Sequence, residues 1–275
     1  VVLAATGASA GVFSTLLALT DGRDGLFFGV EDDTEYLANL PLAPPAGDFV
    51  RNFVVDINDY SVHVRGHPPG FVVLLKMFDA AGLSGSWPVM LISLMSTMLL
   101  PIGVLIAVWA IAGERWVRRS APFLIVAPYA IWMMTSTDAF YAALGAWGVA
   151  FVALGVRRDG RGAVWLGAIG GLLLSTLLFM TYGGAVYLLV PLAIAIAGWR
   201  MLRHSGFGAG TTATVVGAVV MASTVTLVWF AAGFWWFAGA EATRDEYWEG
   251  TAQFRIWNYF IFANLVVALF AVGPA

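Results

Sequence analysis

Apolar runs long enough to cross a lipid bilayer recur along almost the whole chain, and one polar stretch, residues 21–86, interrupts them near the start. A spanning helix needs about 20 predominantly apolar residues. That criterion predicts spans at 1–20, 87–112, 120–136, 139–156, 163–181, 184–199, 212–237 and 258–273. The fifth and sixth runs meet at Tyr182-Gly183-Gly184, which leaves almost no loop. A turn that tight is expected below the membrane surface, where protein or a water-filled cavity must satisfy its backbone. Pro191 inside the short sixth run predicts a kink or a displaced helix boundary there. Residues 69–80, with the chain breaking at Gly82 and Gly85, are too short to span and predict an interfacial or re-entrant helix. One to three short helices are expected within 21–86.

Charge gives these spans a direction. Arg115, Arg118 and Arg119 follow the second run, Arg157, Arg158 and Arg161 the fourth, and Arg200 and Arg203 the sixth. If the spans alternate, all three clusters fall on one side, and short Arg-rich loops are cytoplasmic. The opposite side receives fifteen of the seventeen acidic residues, ten of them within 21–86. Residues 21–86, the stretch around Asp138 and residues 238–257 then face outward and can converge over one cavity.

Composition agrees with a membrane solvent. Hydrophobic residues make up 60 % of the chain and charged residues 11 %, against roughly 25 % charged in soluble domains. The 31 glycines and 12 tryptophans suit close helix contacts and interfacial anchoring, and Gly167, Gly170 and Gly171 read as a helix-packing patch. No cysteine is present, which excludes disulfides and thiolate metal sites. The first run has no basic flank or cleavage site and does not read as a cleavable signal. Val1 and the Gly273-Pro274-Ala275 end both lie in apolar runs, which predicts a longer parent protein. A Walker loop, an HExxH helix, a dinucleotide fingerprint and a serine elbow are all lacking, and no nucleic-acid partner is expected.

One helix, a long acidic outer loop, His67-Pro68-Pro69-Gly70 and then a series of spans: this layout resembles the GT-C integral membrane glycosyltransferases. The closer likeness is to the bacterial group that uses polyprenyl-phosphate mannose, arabinose or aminoarabinose, and the Gly-rich, Arg-biased composition is similar to that of actinobacterial members. The resemblance implies an all-α, polytopic fold in the plasma membrane. It also implies transfer of a sugar from a polyprenyl-phosphate donor to a cell-envelope glycan, lipid or protein on the extracytoplasmic face. Family members carry a catalytic acid early in the first outer loop. Asp32 and Asp33, within Glu31-Asp32-Asp33-Thr34-Glu35-Tyr36, match that place, and Asp33 is the first choice for the base. The family's basic or histidine residue before a Pro-Pro pair, close to the lipid phosphate, corresponds to His67.

The residues themselves allow that chemistry and duller roles. A carboxylate within hydrogen-bond reach can take the acceptor's proton, and crowding can raise its pKa. Glu31, Asp32, Asp33 and Glu35 can instead hold a divalent cation, the one cofactor the sequence leaves open, or simply face water. The residue before a proline is driven toward extended backbone. His63, Arg65 and His67 are therefore expected on one face of an extended segment as an anion site, with Lys76 snorkelling toward the phosphate. The resemblance implies that Asp138 lies near the sugar cavity, where family members often carry a polar or acidic residue; alternatively it or Thr137 caps the following helix. Tyr182 is expected at the cavity floor. Arg255 in the aromatic-rich last loop is a second phosphate contact, among side chains that also suit headgroup anchoring. Two rival classes remain: a transporter or flippase for a lipid-linked or small anionic substrate, and a non-catalytic assembly subunit. Transport predicts polar residues at the span midplanes and inverted repeats, and the sequence offers neither clearly.

Overall fold

The computed structural model describes residues 1–202 and 208–273; Arg203 of the third basic cluster and the terminal Pro274-Ala275 lie outside the described residues. Within them every regular element is helical. α1 (Val2–Ala18) passes through a tight turn into α2 (Gly22–Glu31), and the polar stretch continues as α3 (Tyr36–Asn39), α4 (Ala46–Asn52), α5 (Val62–Arg65) and α6 (Gly70–Ala80). Next come α7 (Ser86–Ala112), α8 (Glu114–Val126), α9 (Ala130–Met133), α10 (Asp138–Val156) and α11 (Gly160–Met180). The chain ends with α12 (Gly184–Tyr187), α13 (Leu189–Leu202), α14 (Gly208–Ala231), α15 (Trp236–Glu249) and α16 (Trp257–Val272). Five segments are long and apolar enough to cross a membrane: Val2–Glu31 as one unit, α7, α10, α11 and Ala209–Ala231. Gly184–Arg200 and α16 are apolar but shorter. The protein is an all-α, multi-span membrane protein.

Backbone contact holds the second half of the bundle. A Cβ on Gly167 would stand 2.0 Å from the Thr214 carbonyl oxygen, one on Gly171 2.2 Å from that of Ala218, and one on Gly217 2.2 Å from that of Val164. α11 and α14 thus touch main chain to main chain, as small residues permit where lipid supplies no hydrophobic drive between helices. The glycine patch at 167–171 belongs to this seam.

The expected span 120–136 is not one helix. α8 starts earlier, so Arg115, Arg118 and Arg119 lie on its first turns rather than in a loop, and it stops at Val126. Ala127 is extended (φ −59°, ψ 142°) because Pro128 follows it. The chain nonetheless returns along α7. Val117 and Ala121 pack on Leu105, and farther on Thr97 Oγ1 donates to the Met133 carbonyl at 3.2 Å. Two other spans also differ from expectation. Residues 184–199 break into α12 and α13 ahead of Pro191, which cannot donate to a preceding turn. Residues 212–237 end as a helix at Ala231, and Trp236 opens α15.

Residues 21–86 form a small helical layer with its own core, more ordered than the one to three helices expected. Phe53 and Phe71 are 0 % exposed. They pack with Phe49, Tyr60 and Val64 and with Tyr141, Phe179 and Phe234 from the bundle. Two glycines dock this layer: a Cβ on Gly29 would lie 2.0 Å from the Thr135 carbonyl oxygen, and one on Gly70 2.2 Å from that of Phe179. The predicted short helix at 69–80 is α6, with Pro69 as its N-cap.

The polar layer occupies one end of the bundle and the basic clusters the other. Arg157 Nη1 donates to the Ala110 carbonyl at 2.6 Å, and Gly210 at the start of α14 abuts the Arg158 carbonyl, so the C-terminal ends of α7 and α10 meet the start of α14. Introduced cysteines on this cysteine-free background test the arrangement. D59C should react with a membrane-impermeant maleimide in intact cells, and R119C only after permeabilisation. Labelling of both from the same side would contradict the packing.

Candidate functional site

The acidic run follows the end of α2. Asp32, the C-cap residue of that helix, accepts from the Thr34 amide at 2.8 Å and from the Thr34 hydroxyl at 2.5 Å. This turn is the usual local use of an aspartate side chain. The two Thr34 bonds, hydroxyl first, hold the Asp32 carboxyl below its ordinary pKa. Glu31 accepts from the Ser86 hydroxyl, tying α2 to the start of α7. Glu31, Asp32 and exposed Asp33 line a cavity of about 510 Å³ together with Arg23, Asp24 and Trp87. Among the described residues no group of three or more His, Asp or Glu side chains is arranged to hold a metal ion, so Glu31, Asp32, Asp33 and Glu35 do not converge as a ligand set.

Glu35 is placed differently. Its side chain is 17 % exposed, with Oε1 3.5 Å from His63 Nδ1. Burial pushes its pKa above the ordinary value, with Asp138 and Asp32 adding to the rise and His63 opposing it. A clamp around Asn39 fixes the surrounding backbone. Asn39 Nδ2 donates to the Glu35 carbonyl at 2.8 Å and to Ser61 Oγ at 2.6 Å, while the Ser61 amide donates to Asn39 Oδ1 at 2.8 Å. Ser61 Oγ then donates to the Thr34 carbonyl at 2.7 Å, and His63 Nδ1 lies 3.0 Å from the same oxygen. A carbonyl can only accept, so both groups are donors.

His63, Arg65 and His67 do not share one face, contrary to the extended-strand expectation. Residues 62–65 form the helical turn α5, in which positions four apart align and positions two apart diverge. His67 Nδ1 donates to the His63 carbonyl at 2.9 Å. In the neutral ring this leaves Nε2 as an acceptor. Burial pushes the His67 pKa below its ordinary value, against the raising influence of the His63 carbonyl and Asp138. Its ring centroid lies 6.0 Å from that of Tyr36 and 5.9 Å from that of Tyr141. The Tyr141 hydroxyl donates to that of Tyr36 at 3.0 Å.

Arg65 points to the other flank of the turn. Its Nη1 donates to Glu246 Oε2 at 3.1 Å, and its carbonyl accepts from Thr243 Oγ1 at 2.7 Å, so α15 is strapped to α5. Arg65, Tyr182, Arg244, Glu246, Glu249 and Arg255 line a second cavity of about 620 Å³. The Tyr182 hydroxyl is buried with no partner at hydrogen-bond distance, and burial raises its pKa to about 12, with nearby Thr243 opposing. Arg255 donates to the Tyr247 hydroxyl at 2.9 Å and lies over the Phe260 ring at 5.0 Å.

Two other expectations shift. Lys76 does not snorkel outward: its ammonium donates to the carbonyls of Leu40, at 3.0 Å, and Ala43. Neither Thr137 nor Asp138 caps α10 with its side chain, because Ser136 Oγ accepts from the Asp138 amide at 3.1 Å. Exposed Asp138 remains within electrostatic range of Glu35 and His67. Three polar segments, 21–86, the start of α10 and residues 238–257, therefore do meet at one end of the bundle. Asn39, Ser61, Tyr36 and Tyr141 were given no role from the sequence. Of these only Asn39 left a signal, a lone amide in the otherwise apolar run 36–40.

No protein-family profile, curated protein or solved structure matches this chain.

Two outcomes are expected from the clamp and the buried imidazole. Asn39→Ala strips partners from the Ser61 amide and hydroxyl, and should cost about 1–3 kcal/mol in denaturant or thermal unfolding. His67 has a depressed folded-state pKa, so the unfolded chain binds its proton more readily. The associated stability is complete above the ordinary His value of about 6.5 and is lost as pH falls through the depressed value. Thermal unfolding in detergent should show this loss on acidification. His67→Asn, whose amide can still donate to the His63 carbonyl, should remove that part of the pH dependence.

Proposed function

We propose that this protein is an integral membrane glycosyltransferase that moves a sugar from a polyprenyl-phosphate donor to a cell-envelope glycan, lipid or protein acceptor at the extracytoplasmic face of the plasma membrane. The observation that carries the reading is the division of labour across α5. Carboxylates and imidazoles gather on the His63 side. Arg65, Arg244 and Arg255 line a cavity of about 620 Å³ on the other. A lipid-phosphate donor needs a cationic hold on its leaving group and a proton acceptor near the attacking hydroxyl.

In this reading the arginine forks hold the donor phosphate, since guanidinium geometry matches phosphate oxygens. Glu246 pairs with Arg65, and Glu241 and Asp245 pair with Arg244, so the hold is partly offset, which suits a phosphate that must depart after transfer. The unpartnered Tyr182 hydroxyl is a further donor to a bound group. His67 takes a different part from the one its place before Pro68 implied. Neutral, and with Nδ1–H committed to His63, it presents a lone pair and not a proton, so it orients the α5 turn instead of gripping phosphate. Lys76 is likewise engaged by carbonyls. Asp32 and Asp33 line the outward cavity of about 510 Å³, where carboxylates suit the hydroxyls of an acceptor sugar.

Purified protein in lipid nanodiscs, given radiolabelled polyprenyl-phosphate mannose or arabinose and an envelope glycan acceptor, should form a glycosidic product. Arg65→Ala and Arg255→Ala should each weaken donor binding about tenfold or more, the scale of one lost charged hydrogen bond. Uptake of the lipid-linked or a small anionic substrate into sealed vesicles without product would favour transport. Neither product nor uptake would favour an assembly role.

A further inference from the structure

We propose that the arginine-rich half of the bundle binds an anionic phospholipid from the leaflet on that side, with one acyl chain in the groove between α7 and α13 and the phosphate at the paired ends of α10 and α13. This site is separate from both outward cavities and does not depend on the transfer reading. Both α7 and α13 pack on α10, and the space between them is a cavity of about 520 Å³, within the range of roughly 300–1,000 Å³ common to small-ligand sites. Val104, Ala107, Val108 and Ile111 line it from α7 as one stripe at helical spacing. Ala146 and Val149 of α10 form the floor, and Val190 and Ala193 belong to the α13 wall. Ile111 and Leu189 on the rims are 61 % and 62 % exposed, so the groove opens sideways toward lipid.

Depth assigns the leaflet. From Val104 to Ile111 the groove follows α7 for about 10 Å, and it stops one residue short of the end of that helix at Ala112. The hydrocarbon layer of one leaflet is about 15 Å deep. Toward the polar layer the groove is bounded by Tyr187. A Cβ on Gly145 would stand 2.8 Å from the Tyr187 ring, and Gly145 precedes Ala146 and Val149 on α10. A lipid chain therefore reaches the groove from the arginine pole and not from the outward cavities.

Charge identifies the head group. Arg200 lies in the last turn of α13, seven residues past Ala193 and so about two turns farther along the same stripe. It is exposed, and among the described residues it has no carboxylate or hydrogen-bond partner. A Cβ on Gly198 would stand 2.5 Å from Val156 Cγ1, so this end of α13 lies against the last turn of α10, which Arg157 follows. Arg157 donates one N–H to the Ala110 carbonyl, and a guanidinium has five. Trp109, with its ring 6.0 Å from the Arg157 guanidinium, marks headgroup depth. The acids of this pole do not cancel the arginines: Glu114 is paired with Arg118, and Asp159 sits beside Gly210. Guanidinium forks match phosphate oxygens, and basic pockets between membrane helices on the cytoplasmic side hold anionic headgroups. The rims favour a chain over a second helix. Close helix docking uses small residues, whereas Val104, Val108, Leu189 and Val190 stand branched along the edges.

The test strips the purified protein of lipid in detergent and titrates it with palmitoyl-oleoyl phosphatidylglycerol or the matching phosphatidylcholine, counting bound lipid by native mass spectrometry. One phosphatidylglycerol should bind about tenfold or more tighter than phosphatidylcholine. R200Q should erase about tenfold of that preference, the scale of one lost charged hydrogen bond, while R200K keeps most of it and R118Q changes nothing. A193F, which fills the groove from an exposed position, should weaken both lipids alike; A193L serves if A193F does not fold. Inorganic phosphate and glycerophosphoglycerol at millimolar concentration should not displace the lipid. Equal binding of the two lipids, or a preference that survives R200Q, overturns the headgroup assignment. Displacement by either soluble anion, or lipid binding that ignores the filled groove, overturns the chain assignment. A dimer that A193F or A193L dissociates would mean that a second copy occupies the groove, and overturns the proposal outright.

Discussion

Placing an ionised side chain at the centre of a bilayer-spanning helix costs about 3 kcal/mol or more on insertion scales, and this protein arranges its ionisable groups accordingly. The five long apolar segments keep theirs at or near their ends. Acidic residues collect in the layer formed by 21–86 and the 238–257 segment, and the arginine clusters at 115–119 and 157–161 lie at the opposite pole. The bundle acts as a low-dielectric spacer between two charged surfaces. Any polar reaction centre must then be assembled from connecting segments, which are short helices with little intrinsic stability. Their order has to come from contacts with one another and with the helix ends beneath.

Two kinds of contact supply that order. One is apolar: Phe53, Phe71 and Phe179 form a shared core between the layer and the bundle, and Gly29 and Gly70 let the layer approach the underlying carbonyls. The other is the polar clamp of Asn39, Ser61 and Thr34. Buried polar networks of this kind are stabilising only when fully satisfied. Here each side-chain end finds a partner, so the clamp fixes where Glu35 and His63 stand instead of weakening the layer. Arg65 and Thr243 extend the same logic to α15.

The long apolar helices were legible because length and hydropathy carry the information directly, though five segments and not eight are long enough to span, and the glycine patch at 167–171 was legible because close packing has few other solutions. The broken third crossing was not. Its sequence is apolar throughout, and hydropathy is blind to the local effect of Pro128 on Ala127. The layer between 21 and 86 was read by its charges, while its aromatic core is drawn from α3, α4, α6 and the connecting residues Phe53 and Tyr60, whose contacts are non-local. The site was half legible. Its segments were recognisable from their polar residues, but the spacing of His63, Arg65 and His67 fits either an extended or a helical backbone, and only folding into α5 separates their directions. Glu35 looked like one acid among four because burial is a tertiary property.

The break at Pro128 also does something for the far end of the chain. With the helix interrupted, the Tyr129 amide is free of its own ladder and donates to the Ala271 carbonyl at 3.1 Å, in the last turn of α16. Gly273 sits against Pro128 at the same spot. This is a main-chain joint, so it is indifferent to side-chain identity: at position 129, drift to any residue but proline leaves the donor in place. The otherwise peripheral final helix is thus pinned to the bundle by a bond that depends on Pro128 and Gly273 and not on the side chain at 129.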